Sequence, residues 1–163
     1  MTYTPHDYQQ YASDFIEQHP VAAVLLQMGL GKTVITLTAL SNLLFDSFLV
    51  RKVLIIAPLR VARDTWPAEI GKWDHLGDLI QSVAVGSTAE RLSALEPKAD
   101  LYIINRENVQ WLIEESTLPF DFDMVVVDEL SSFKNHRSKR FRALMKRRPM
   151  VRRIVGLTGT PAS

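Results

Sequence analysis

Residues 27–33 of this chain, Gln27-Met28-Gly29-Leu30-Gly31-Lys32-Thr33, have the make-up of a phosphate cradle. Glycines let the backbone approach an anion closely, and a helix that starts at such a turn aims its free N–H groups at it. In that arrangement Lys32 reaches the β/γ-phosphates and the Thr33 hydroxyl ligates magnesium. The strict pattern Gly-x-x-x-x-Gly-Lys-Thr would place glycine at position 26, where this chain has Leu26. An ordinary glycine turn bearing a surface lysine is therefore the competing reading, and a second motif has to decide.

That motif is Asp123-Met124-Val125-Val126-Val127-Asp128-Glu129. Four apolar residues followed by paired carboxylates describe a buried central strand that delivers acids at its carboxyl end. In open α/β sheets that edge is where ligands bind. Asp128 fits a magnesium carboxylate, and Glu129 fits the group that orients and deprotonates an attacking water. An acidic cap on the next helix is the alternative; a phosphate loop nearly a hundred residues earlier favours the chemical reading. A third element follows a short apolar segment: Gly156-Leu157-Thr158-Gly159-Thr160-Pro161.

Met-Gly-Leu-Gly-Lys-Thr, Asp-Glu and Leu-Thr-Gly-Thr-Pro, in this order and spacing, resemble the first motor domain of a superfamily 2 helicase. The branch is that of the Swi/Snf-type DNA translocases, including compact phage and bacterial forms. The resemblance covers nearly the whole chain. Tyr8-Gln9 resembles the adenine-reading Q motif, Ala57-Pro58-Leu59 motif Ia, and Trp66 and Trp73 the tryptophan-bearing segment after it. Lys134-Asn135 resembles the Lys-Asn that follows the acidic motif. The resemblance implies ATP and Mg²⁺ as cofactors. Gln9 and residues Met28, Gly29, Leu30, Gly31, Lys32 and Thr33 would bind them; Thr33 and Asp128 would hold the metal; Lys32, Asp128 and Glu129 would carry hydrolysis. Thr158, Gly159 and Thr160 would couple it to movement. DNA, expected as duplex, would contact Arg60 (motif Ia) and Asn105 and Arg106 (motif Ib). Three departures bear on this. Gln27 stands where the family usually has an acid, and Ser131 where it often has a histidine that links ATP chemistry to the Thr-Gly-Thr element. His6-Asp7 replaces the arginine that often precedes Tyr-Gln.

The elements that must position these residues alternate. Short apolar runs at 21–26, 52–57, 82–85, 101–104, 124–127 and 153–157 read as strands. Helical patterns fall near 7–18, 33–46, 60–73, 88–95, 106–116 and 138–148. Alternating β and α units imply an α/β fold, a mostly parallel sheet with helices on both faces; the RecA-like strand order is implied by the resemblance. Trp66, Trp73 and Trp111 read as packing groups rather than base-stacking platforms.

Composition agrees with one domain: 163 residues, 47% hydrophobic, enough to bury a core. There is no cysteine, which excludes disulfides and thiolate metal sites. His6, His19, His75 and His136 lack metal-ligand spacing. No apolar run approaches the ~18–20 residues of a membrane span, and no secretion signal opens the chain, so the expected setting is cytoplasmic. The net charge of +1 hides an asymmetry. Residues 1–129 hold all 18 Asp/Glu and nine Lys/Arg, whereas residues 130–163 hold ten Lys/Arg and no acid. The pattern at 138–148 reads as an amphipathic helix with Phe141, Leu144 and Met145 inward. Its basic face could contact DNA, be solvated, or meet another domain.

The chain ends two residues after Pro161, before the second RecA-like domain that the resemblance implies. In the family that domain supplies arginines to the far side of the ATP. Residues 1–163 are thus expected to be the first motor domain alone, slow or silent in turnover. Two functions stay open: the ATPase half of a DNA translocase or helicase, or a nucleotide- and DNA-binding module with no hydrolysis in this form. A small-molecule P-loop kinase is disfavoured, since it has no need of the adjacent Asp128-Glu129 pair.

Overall fold

The computed structural model describes residues 1–27, 29–133 and 138–159; Met28, Lys134, Asn135, Thr160 and Pro161 lie outside the described residues. The apolar runs form six strands: β1 (Val21–Leu25), β2 (Val53–Ala57), β3 (Gln81–Ala84), β4 (Leu101–Asn105), β5 (Met124–Asp128) and β6 (Arg153–Thr158). They make one sheet in the order β1-β6-β5-β2-β4-β3, and every pairing is parallel. The α-helices are α1 (Asp7–Gln18), α2 (Lys32–Phe45), α3 (Trp66–Lys72), α4 (Thr88–Leu95), α5 (Leu130–Phe133) and α6 (Lys139–Arg147). The α/β architecture expected from the alternating pattern is present, with strand bounds within a residue or so of expectation.

Side chains of a strand alternate between faces, and β5 shows the result. Met124 and Val126 enter a core shared with α1, α2 and α3. Val125 and Val127 enter a second core with Leu112, Phe133 and Leu144. Both faces being covered explains why the central strands read as unbroken apolar runs. The same alternation directs Asp128 to the face of α2 and α3.

Two expected helices differ in kind. The 60–73 pattern is a π turn, Val61–Thr65, running into α3. The 106–116 pattern is a 3₁₀ turn, Arg106–Asn108, and then a π turn, Trp111–Glu115. In the latter, the Ser116 N–H reaches the Trp111 carbonyl at 2.9 Å, a five-residue step. Apolar spacing over a few residues cannot separate these windings, which differ by less than a residue per turn.

Two contacts lock the layers. Gly156 of β6 faces Leu130 of α5 so closely that a Cβ there would lie 2.4 Å from Leu130 Cδ2. Arg153, buried at the start of β6, donates from Nη1 to the Ile16 carbonyl (3.2 Å) and from Nη2 to the Glu17 carbonyl (3.0 Å). It thereby satisfies carbonyls in the last turn of α1 that have no partner within the helix.

Candidate active site

Strand register brings the three motifs together. Leu25 pairs with Thr158, and Asp128 with Leu157. The glycine-rich loop after β1, the end of β6 and the acidic end of β5 therefore sit side by side at the carboxyl edge. Ala57 pairs with Asn105, so the ends of β2 and β4 share that edge.

Gly31 is the residue from which α2 starts. Its φ of +83° is left-handed, and a Cβ would approach Gln9 Nε2 at 2.7 Å; only glycine fits without strain. Thr33 in the first turn of α2 is buried. The Lys32 ammonium bridges the two acids, 3.2 Å from Glu129 Oε1 and 3.5 Å from Asp128 Oδ1. Asp128 is 2% exposed. Its Oδ1 also accepts from the Glu129 N–H at 2.9 Å, and its Oδ2 accepts from the Trp66 indole N–H at 3.0 Å. Burial pushes the Asp128 carboxyl above the usual carboxylate range, against the opposing pull of Lys32 and of the indole N–H. Glu129 is partly exposed and has a φ of +59°, a left-handed conformation that is strained for a residue with a side chain.

A cleft of about 600 Å³ opens beside the loop, lined by Gly31, Lys32 and Thr33 on one side and by Tyr3, His6 and Trp73 on the other. Gln9 also lines it. Its Oε1 accepts from the His6 N–H (2.9 Å), while its Nε2 donates to the Leu30 carbonyl (3.4 Å), which the Tyr8 hydroxyl also reaches (3.1 Å). Tyr8 and Gln9 thus brace the glycine loop.

This geometry can be set beside known proteins. The model of the SNF2-related domain matches residues 17–163. The chain belongs to that family. It is 36% identical to protein p41 of Acyrthosiphon pisum secondary endosymbiont phage 1, over 99% of this chain and 36% of that protein. It is 32% identical to protein CHROMATIN REMODELING 25 of Arabidopsis thaliana, over 82% of this chain and 16% of the relative. It is 30% identical to the DNA repair and recombination protein RAD54 of Oryza sativa subsp. japonica, over 82% and 14%. This SNF2-related chain therefore spans about a third or less of these relatives' length. The Sulfolobus solfataricus SWI2/SNF2 ATPase core, solved in complex with dsDNA, superposes with a TM-score of 0.79 at 21% identity, over 98% of this chain and 32% of that one. The expected RecA-like domain is the fold observed.

Other expected residues fall as follows. Thr158 is buried, and its hydroxyl lies 3.3 Å from that of Ser131. Where the resemblance led one to look for a histidine, a serine touches the Thr-Gly-Thr element directly. Gly159 follows Thr158, and Thr160 lies outside the described residues, as does Met28 in the loop. Arg60 is exposed at the turn after β2. Arg106 reaches the Ser132 hydroxyl and pairs with Glu107 at 3.1 Å. Asn105, also expected at DNA, is turned inward. It is buried, donates to Glu107 Oε1 (3.1 Å) and accepts from Asn108 (2.8 Å), so its amide holds the 3₁₀ turn. Among the described residues no helix is long and apolar enough to cross a membrane.

Trp66 is the site residue that sequence reasoning passed over. It was assigned to packing, and it is fully buried, yet its N–H ends on Asp128. A tryptophan placed seven residues after the strand-end motif Ala57-Pro58-Leu59 was the available signal.

Proposed function

We propose that this chain is the ATP-binding motor domain of a DNA-dependent ATPase that couples hydrolysis to movement on DNA. The observation that carries the reading is Lys32 bridging Asp128 and Glu129 at an edge where register also sets the glycine loop and Thr158. A phosphate entering the loop would meet the N-terminus of α2 and compete for the Lys32 ammonium, freeing Glu129 to accept a proton from water. The buried Thr33 and Asp128 offer hard oxygen donors suited to Mg²⁺, an ion held by one or two carboxylates together with substrate phosphates. When bound, the ion would neutralise charge on the transferring phosphate. Ser131 and Thr158, joined by their hydroxyls, would relay the change from Glu129 to the Thr-Gly-Thr element. The base would lie near Gln9, Tyr3 and Trp73.

The name of the Sulfolobus neighbour supports duplex DNA as partner, with Arg60 and Arg106 at the same sheet edge as the closest contacts. The lengths of the relatives support a second RecA-like domain in the full-length protein. An arginine from that domain would be worth about 10³–10⁵ in rate. The corresponding alternative is that residues 1–163 bind nucleotide and DNA without hydrolysis.

The test is steady-state ATP hydrolysis by the chain, with and without duplex DNA, alongside Glu129→Gln, with Lys32→Ala as a binding control. DNA-stimulated turnover lost in Glu129→Gln would mean that this domain suffices. Mg²⁺–ATP binding lost in Lys32→Ala, with no turnover above Glu129→Gln, would identify the binding half. Failure to bind Mg²⁺–ATP at all would overturn the proposal.

A further inference from the structure

We propose that Trp66 is the positioning residue of Asp128, its indole N–H fixing Oδ2 so that Oδ1 alone is presented to Lys32 and the metal. The inference rests on the reading of Asp128 as a magnesium carboxylate.

A buried carboxylate needs donors for both oxygens. Oδ1 has the Glu129 N–H and the Lys32 ammonium on its side, whereas the donor on Oδ2 is Trp66, from an element 62 residues earlier. The need is mutual. An indole N–H can only donate, and burial of Trp66 leaves it no water. Packing alone would be met by Phe or Leu, which bring no polar atom into the core. The other two tryptophans contrast with it. Trp73 donates to Glu69 in the helix just before it, and Trp111 lies 4.3 Å beneath the Arg91 guanidinium.

The backbone is shaped to deliver this contact. Ala62, Trp66 and Ile70 are buried at a spacing of four. An α-helix rotates such a stripe by about 40° per step away from the sheet. The wider π turn at Val61–Thr65 offsets that drift and keeps Trp66 over the end of β5. π turns within helices are frequent at functional sites. Without a fixed Oδ2, the carboxylate could rotate about its terminal torsion, which is broad and two-fold, and each oxygen would face the loop only part of the time.

Trp66→Phe keeps an aromatic ring and removes the N–H. Binding of a fluorescent ATP analogue is measured against Mg²⁺ concentration and again in EDTA, with circular dichroism to verify the fold. The expected result is a rise of about 10- to 100-fold in the Mg²⁺ needed for half-saturation, the scale for partners that orient metal ligands, with EDTA binding unchanged. Equal Mg²⁺ dependence in a folded Trp66→Phe overturns the inference alone. A wild-type chain that binds without any Mg²⁺ dependence overturns the metal reading and this inference with it. If Trp66→Phe folds poorly, the wild-type indole N–H resonances decide, assigned with Trp73→Phe and Trp111→Phe. The Trp66 signal should shift with Mg²⁺–ATP but not with ATP in EDTA, and a signal indifferent to Mg²⁺ overturns the proposal.

Discussion

Glu129 combines a chemical role with an unfavourable backbone. Its φ of +59° costs a side-chain-bearing residue on the order of 1 kcal/mol, from which glycine is exempt. The strain persists because Asp128 Oδ1 holds the Glu129 N–H while the Glu129 carbonyl accepts from the N–H groups of Ser132 (3.1 Å) and Phe133 (3.1 Å). Glu129→Gly and Glu129→Ala both remove the carboxylate and its pairing with Lys32. The glycine variant should nonetheless be more stable by about 1 kcal/mol, less whatever glycine adds to the freedom of the unfolded chain, in urea unfolding. A glycine variant less stable than the alanine one would mean that the strain at this turn is smaller than the freedom glycine adds to the unfolded chain. The meeting of Lys32, Asp128 and Glu129 was legible in the sequence because a phosphate loop and an acidic strand end each set a residue type at a fixed place along the chain. Trp66 was not, because its partner is remote in sequence and a core tryptophan looks the same whether or not its N–H is used. Asn105 shows a different limit: the resemblance to motif Ib sets it at DNA, and nothing in the sequence tells that its amide is spent on the adjoining turn.

At the scale of elements, the sheet was readable because covered parallel strands must be apolar on both faces, and the runs 101–104 and 124–127 have no other use. The π turn at Val61–Thr65 was hidden, since it goes with the four-residue stripe of Ala62, Trp66 and Ile70, a spacing that an α-helix also shows. The joining of α1 to the sheet was hidden as well, because it runs through Arg153, which in sequence is one more cation in a basic stretch. Its guanidinium donates to two carbonyls of α1 from a buried position, and hydrogen bonds from a charged group are worth about 1.5–3 kcal/mol. Arg153→Met preserves much of the packing and leaves those carbonyls without a donor. A loss of about 2–3 kcal/mol in unfolding free energy is expected. Faster amide exchange in α1 than in α2 should accompany it, since α1 also carries the Tyr8 and Gln9 contacts to the loop. A loss spread evenly over the fold, or none, would show that α1 is held by its apolar face instead.

For the whole molecule, the question is where the charge asymmetry acts. Ten Lys/Arg after Glu129 with no acid among them suggest a basic surface, but the fold already employs several. Arg153 is buried against α1, Lys146 pairs with Glu114 at 2.8 Å, and Arg148 donates to the Val151 carbonyl at 3.0 Å. Arg140 donates to the Ser132 carbonyl at 3.3 Å and lies over the Phe133 ring. Arg60, by contrast, stands exposed at the carboxyl edge that carries Asp128 and Arg106. If duplex DNA lies along that edge, affinity depends on a few phosphate contacts there rather than on the total charge of the segment. Each such contact adds about 0.9 to the slope of log affinity against log salt. Arg60→Ala should therefore flatten the slope by about one unit and weaken binding similarly on any duplex sequence, while Lys146→Ala should leave the slope as it is. Anisotropy of a labelled duplex across a salt series reads both. The reverse outcome, an unchanged slope for Arg60→Ala and a flatter one for Lys146→Ala, would move the DNA from the strand ends onto α6, and the edge that gathers the ATP chemistry would then not be the edge that meets the duplex.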